Sequence, residues 1–205
     1  MTTKKEPETP IVAIDIYEKL LKKEPQNIEA LTNLALLYEA HLGDIEKAKQ
    51  YLEKVITLDQ KYAAAHYNLA RILTNYYRDY NKAKNHYELC LKLEPRSKLA
   101  HFGLGVLQQY LKNPKDAQKS YEEVLKIDPK FADAHYNLAL ILIADKNYPS
   151  ARSHLEKTIE LNPNHAEGIF NLATLVKRHF NDEKRAEDLY SKALKLEPSF
   201  IKPEN

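Results

Sequence analysis

What constrains this chain most is that it repeats itself. Ala65-His-Tyr-Asn-Leu-Ala70 returns as Ala134-His-Tyr-Asn-Leu-Ala139, and Leu91-Lys-Leu-Glu-Pro95 returns as Leu194-Lys-Leu-Glu-Pro198. Aligned on these segments, a column of small residues reads Ala13, Ala48, Ala83, Ala117, Ala151 and Ala186, with spacings of 35, 35, 34, 34 and 35. A second column reads Ala35, Ala70, Gly105, Ala139 and Ala173, and a third reads Pro25, Gln60, Pro95, Pro129, Pro163 and Pro198. A fixed period of this length means one supersecondary unit that cannot bury its apolar face alone and does so by stacking on its neighbours.

Each unit reads as two helices. His66, Leu69, Ala70 and Leu73 fall at i, i+3, i+4 and i+7 on one stripe, and Ala83, Tyr87 and Cys90 form another. Polar turns such as Asp145-Lys-Asn147 close the first helix, and Pro114 and Pro149 stand in the first turn of the next, where a missing N–H costs little. The second helix ends before the recurring proline, whose ring disfavours helical geometry in the residue ahead of it. The small columns mark close helix crossings, where only Ala or Gly lets the backbones approach. The expected fold is all-α: a lone second helix over 10–27, then pairs over 28–62, 63–97, 98–131, 132–165 and 166–200, between a disordered tail at 1–9 and a C-terminal tail at 201–205. Three units carry one extra residue at the inter-helix turn, around Leu42-Gly-Asp44, Tyr77-Arg-Asp79 and Phe180-Asn-Asp182, an insertion that a surface loop tolerates.

Charge and composition narrow the function. With 31 basic and 29 acidic residues the net charge is +2 and no basic stripe forms, which argues against nucleic acid as a partner. The longest apolar run, Leu138 to Ala144, is far below the ~20 residues needed to cross a bilayer, so no membrane insertion is expected. The N-terminal segment Met1 to Thr9 is polar and lacks the apolar centre of a secretory signal, and the single cysteine cannot form an internal disulfide. A cytoplasmic location is expected. The four glycines, Gly43, Gly103, Gly105 and Gly168, do not form a phosphate-cradling loop, and no cofactor is expected.

Candidate chemistry is sparse. His66, His101 and His135 recur with the unit, but equivalent places on stacked helices are ~10 Å apart, too far for one ion that needs each nitrogen at ~2.0–2.1 Å. They read as core or edge-of-core residues. Cys90 shares a column with Leu20, Val55, Val124, Thr158 and Ala193 and reads as an inert buried thiol. No Ser/His/Asp set, paired acid motif or Cys/His cluster departs from the repeat, so a non-enzymatic role is expected. The informative column is polar: Asn33, Asn68, Asn137 and Asn171, with Gly103 as its exception. An amide both donates and accepts, so such a ladder suits the backbone of an extended ligand. It equally suits bonds within or between the repeats, and the two readings stand side by side.

A helix-turn-helix of 34 residues with these Ala, Tyr and Pro columns resembles the tetratricopeptide repeat, over residues 10–200. The family's usual Trp near the start of the first helix is replaced by Leu31, His66, His101, His135 and Ile169. The resemblance implies a right-handed α-solenoid of antiparallel helix pairs whose first helices line a concave groove, and a module for protein–protein interaction. It places the Asn column in that groove with Tyr67, Phe102, Tyr136 and Phe170, and with Leu36, Arg71, Val106, Leu140 and Thr174. Glu29 and Glu39 make one end acidic, and Lys177 and Arg178 make the other basic. The implied ligand is an extended or helical peptide segment of another protein. One subfamily grips acidic chaperone tails with a carboxylate clamp, but Thr32, Leu36, Leu99 and Gly103 stand where its Lys, Asn and Arg residues belong. The alternative role is a scaffold subunit of a larger assembly, gripped by its ends and convex face. The lone first helix bears Ile11, Ile14, Ile16, Leu20 and Leu21, and the last pair stops after Leu196 and Phe200 with no capping helix. Exposed apolar ends of that kind favour self-association or a partner packed on them.

Overall fold

Each recurring proline forces the residue before it out of helical geometry, and the helices end where that rule places them. The computed structural model describes residues 10–201, so the tail expected at 1–9 and most of that at 201–205 lie outside it. Among the described residues there are only helices: α1 (Pro10–Lys23), α2 (Ile28–Leu37), α3 (Ile45–Leu58), α4 (Ala63–Ile72), α5 (Tyr80–Leu93), α6 (Lys98–Tyr110), α7 (Pro114–Ile127), α8 (Ala132–Ala144), α9 (Tyr148–Leu161), α10 (Ala166–Phe180) and α11 (Glu183–Leu196). They fall into two compact units that divide between Leu107 and Gln108. In the first, α2 packs on α1 and α3, and α4 on α3 and α5; in the second, α8 packs on α7 and α9, and α10 on α9 and α11.

The turns from a second helix to the next first helix share one construction. Asp59 is extended, its N–H closes on the Val55 carbonyl at 2.8 Å, and Tyr62 N–H closes on Asp59 at 3.2 Å. Asp128 and Asn162 repeat this on Val124 and Thr158, both at 2.8 Å. The histidine column belongs to these turns: His66, His101 and His135 place Nε2 at 3.0, 3.1 and 3.0 Å from the carbonyls of Gln60, Pro95 and Pro129. These rings tie each first helix to the turn ahead of it.

The three longer units take up their extra residue inside the last turn of the first helix rather than in the loop after it. Tyr38–Leu42 and Leu73–Tyr77 wind as π-helical turns, and Gly43 and Arg78 follow in left-handed geometry with N–H groups on the carbonyls five residues back. Asn181 does the same on Val176. The next helix then opens normally, because Asp44, Asp79 and Asp182 accept from the backbone N–H of Lys47, Lys82 and Arg185 at 3.1, 3.2 and 3.2 Å.

The small columns are the core. Ala48, Ala83, Ala117, Ala151 and Ala186 are fully buried, as are Ala70, Ala139 and Ala173, packed with Leu52, Tyr87, Tyr121, Leu155 and Tyr190. Ala13 of α1 is only half-buried, since α1 packs on α2 alone in its unit. Cys90 is buried in its expected column, and burial pushes its thiol pKa up, away from reactive thiolate.

Candidate binding face

The asparagine column lies on the first helices, and its four members do four different things. In the first unit, Asn33 Nδ2 donates to the Tyr17 hydroxyl at 3.0 Å. Asn68 departs from the expectation that it lines an open face: it is 8% exposed, and its amide turns back to the Ala64 carbonyl at 2.9 Å. In the second unit, Asn171 Nδ2 donates to the Tyr136 hydroxyl at 3.1 Å. Asn137 is half-buried, and its side-chain amide has no hydrogen-bond partner among the described residues.

Sixteen positions before each column member stand Tyr17, Leu52, Tyr87, Tyr121 and Leu155. Tyr17 offers its hydroxyl to Asn33. Leu52 and Leu155 offer nothing polar, and Asn68 and Asn171 find other acceptors. Tyr87 explains the one glycine, because a Cβ on Gly103 would come within 2.5 Å of its ring. Tyr121 donates its hydroxyl hydrogen to Gln109 Oε1 at 2.6 Å, and Asn137 makes no bond to it.

Around the column, aromatic and apolar groups fill the first helices. Tyr67 packs its ring 6.2 Å from that of Tyr87, Tyr136 lies 4.6 Å from the His165 ring, and Phe170 packs between Tyr190 and Phe200 at 5.3 and 4.9 Å. Tyr67, Phe102, Tyr136, Leu140 and Phe170 are all half-buried, so each keeps part of its surface open. Burial raises the phenol pKa of Tyr67 and of Tyr136. Arg71, expected as an available cation, is held by Glu39 through two bonds of 2.6 and 2.5 Å, with the Glu39 side chain only 6% exposed. That pair cancels the acidic end expected at Glu39. At the other end Lys177 is half-buried and Arg178 exposed, while the neighbouring His179 stacks on Tyr148 at 3.6 Å. Among the described residues no three or more metal-ligating side chains come together, and no helix is long and apolar enough to cross a membrane.

The tetratricopeptide repeat family matches residues 16–50, 63–97 and 110–168, more than half of the chain together. The chain belongs to the tetratricopeptide repeat family. Tetratricopeptide repeat proteins generally bind other proteins or peptides, and this chain is a protein-interaction module of that kind. No curated protein matches it. Among solved structures it is similar to PilF of Pseudomonas aeruginosa, with 19% identity, a TM-score of 0.80 and 93% of this chain covered against 95% of that one. It is also similar to YrrB, a tetratricopeptide repeat protein with an unusual peptide-binding site, at 20% identity and a TM-score of 0.69, covering 91% and 94%. MamA of Desulfovibrio magneticus gives 22% identity and a TM-score of 0.67, covering 93% and 98%. These likenesses place the fold.

Proposed function

We propose that this protein holds a peptide segment of a partner protein against its first helices, without catalysing a reaction. The carrying observation is the unengaged amide of Asn137, half-buried on the helix that also carries the half-buried Tyr136 and Leu140. An amide with free donor and acceptor in such a setting suits a ligand backbone, while the rings supply contact area. The same fold carries a peptide-binding site in YrrB. A cytoplasmic setting belongs to the proposal and is supported by the single buried thiol.

The test selects binders from a displayed random-peptide library on the parent chain and measures them on Asn137→Ala and Asn171→Ala. One backbone bond is worth a net ~0.5–1.5 kcal/mol, so Asn137→Ala weakens selected peptides by roughly 2- to 13-fold and leaves melting unchanged. Asn171→Ala lowers melting instead. Peptides that bind Asn137→Ala as tightly as the parent remove the reading.

A second reading, a scaffold subunit gripped at its ends, is favoured by α1, where Ile11 is 72% exposed and Val12 and Ile16 are each 46% exposed. Under that reading, Ile11→Asp with Ile16→Asp abolishes a native complex recovered by size exclusion, whereas Asn137→Ala leaves it intact.

A further inference from the structure

The second unit carries a surface pocket at the corner where α6 turns into α7 beside the end of α8. Pro114, Leu140, Ile141 and Ala144 make it mainly apolar, and Gln109 and Lys112 complete its lining. Gln109 is a prepared donor: its Oε1 is fixed by the buried Tyr121 hydroxyl at 2.6 Å, which leaves Nε2 with no acceptor among the described residues. Beside it lies a second pocket lined by Lys112, Asn113, Pro114, Lys115, Asp116 and Lys119. Lys119 is paired with Asp116 at 3.3 Å, but Lys112 and Lys115 have no carboxylate partner among the described residues.

We infer that this corner binds an acidic peptide segment, with one apolar side chain in the Leu140–Ile141–Ala144 pocket, a carbonyl or carboxylate on Gln109 Nε2, and flanking carboxylates on Lys112 and Lys115. Charge complementarity selects the occupant. A basic segment meets two unpaired ammonium groups, and a polar uncharged one leaves the apolar floor wet. A nucleic acid satisfies the lysines but offers the floor no aliphatic group. The inference rests on the chain's reading as a protein-interaction module, and it does not depend on Asn137.

The experiment uses the full chain and three fluorescein-labelled pentapeptides, Glu-Glu-Leu-Glu-Glu, Glu-Glu-Ser-Glu-Glu and Lys-Lys-Leu-Lys-Lys, followed by fluorescence anisotropy. The first binds saturably, and the other two bind about tenfold more weakly or not at all. Lys112→Glu with Lys115→Glu weakens the first by about tenfold or more. Ala144→Glu, at an exposed helical position, does the same by filling the pocket with a charge, and circular dichroism confirms that both variants keep the parent's melting. Asn137→Ala leaves this binding unchanged, which separates the pocket from the asparagine face. Equal binding of the acidic and basic peptides overturns the inference, as does indifference to Lys112 and Lys115. So does displacement by single-stranded RNA at concentrations where the acidic peptide is not displaced by its own unlabelled form.

Discussion

The Nδ1 atom of His86 stands 2.9 Å from the Nδ1 atom of His66, so one imidazole must donate and the other accept. The roles are fixed from outside. His66 Nε2 faces the Gln60 carbonyl and must carry its hydrogen there, which leaves Nδ1 of His66 as the acceptor and Nδ1 of His86 as the donor. His135 and His154 repeat the arrangement at 2.8 Å, with His135 Nε2 on the Pro129 carbonyl. A proton added to the accepting Nδ1 of His66 or His135 removes that bond, and a charge on His86 or His154 is opposed first by burial and then by the facing ring.

The first prediction follows from that geometry. Burial first, then the facing histidine, lowers the pKa of His86 and His154 below the ordinary 6.5, with Glu122 opposing this at His154. Between the folded and unfolded values the unfolded chain binds more protons, so stability is complete above about pH 6.5 and falls as pH drops toward the folded values. Thermal melts between about pH 7.5 and about pH 5 should show this fall. His86→Gln with His154→Gln should flatten it, and an unchanged slope means the pairs do not titrate in that window.

Gly103 and Tyr87 form a size-matched pair. Gly103→Asn restores the column residue but drives a Cβ into the Tyr87 ring, so it should cost roughly 1–3 kcal/mol. Adding Tyr87→Leu, the residue type found at Leu52 and Leu155, should recover most of that loss. Urea denaturation of the two single variants and the double one measures the coupling. Additive effects would disprove it.

The Arg71 and Glu39 side chains are held by a two-pronged bond that leaves Glu39 nearly enclosed. Arg71→Ala should therefore strand a carboxylate and cost roughly 2–3 kcal/mol, below the 3–5 of a wholly buried pair because Arg71 is 30% exposed. Arg71→Leu with Glu39→Leu should melt closer to the parent than Arg71→Ala does. Differential scanning calorimetry decides, and the reverse order would mean the pair is dispensable.

Arg78 adopts φ 53°, a left-handed geometry that costs a side-chain-bearing residue roughly 1–2 kcal/mol. Gly43 holds the equivalent place one unit earlier without that cost. Arg78→Gly should consequently raise the melting temperature by about 2–4 °C, whereas Gly43→Ala should lower it. A drop on Arg78→Gly would show that the arginine side chain contributes more than its backbone loses.

Period, helix pairs and core were legible because they depend on residue size and on proline, both visible one position at a time. The Ala column and the residues ahead of Pro95, Pro129 and Pro163 stand where the repeat put them. The asparagines were legible as a column but not as individuals. What Asn33, Asn68 and Asn171 do depends on the acceptor each meets in the fold, the Tyr17 hydroxyl, the Ala64 carbonyl and the Tyr136 hydroxyl. Tyrosine stands sixteen positions before Asn33, Gly103 and Asn137 alike, and only at Gly103 does its ring exclude a side chain. The Arg71–Glu39 pair was hidden for a related reason, since the residues lie 32 apart and belong to different columns. The histidine pairs were hidden in the same way, since His86 and His154 stand on the second helix, 20 and 19 residues after His66 and His135, outside the column those two share.

The widened last turns at Tyr38–Leu42 and Leu73–Tyr77 act as phase correctors. An inserted residue rotates everything after it by about 100° on a continuing helix, which would turn an alanine seam away from its neighbour. Here the added residue is spent within one loosened turn, and the aspartate after it restarts the count. Ala48 and Ala83 therefore arrive at their crossings in step, as Ala117 does in a unit with no insertion. Length errors at these corners stay local, and a lineage of such chains is free to lengthen or shorten its units there without re-cutting its seams.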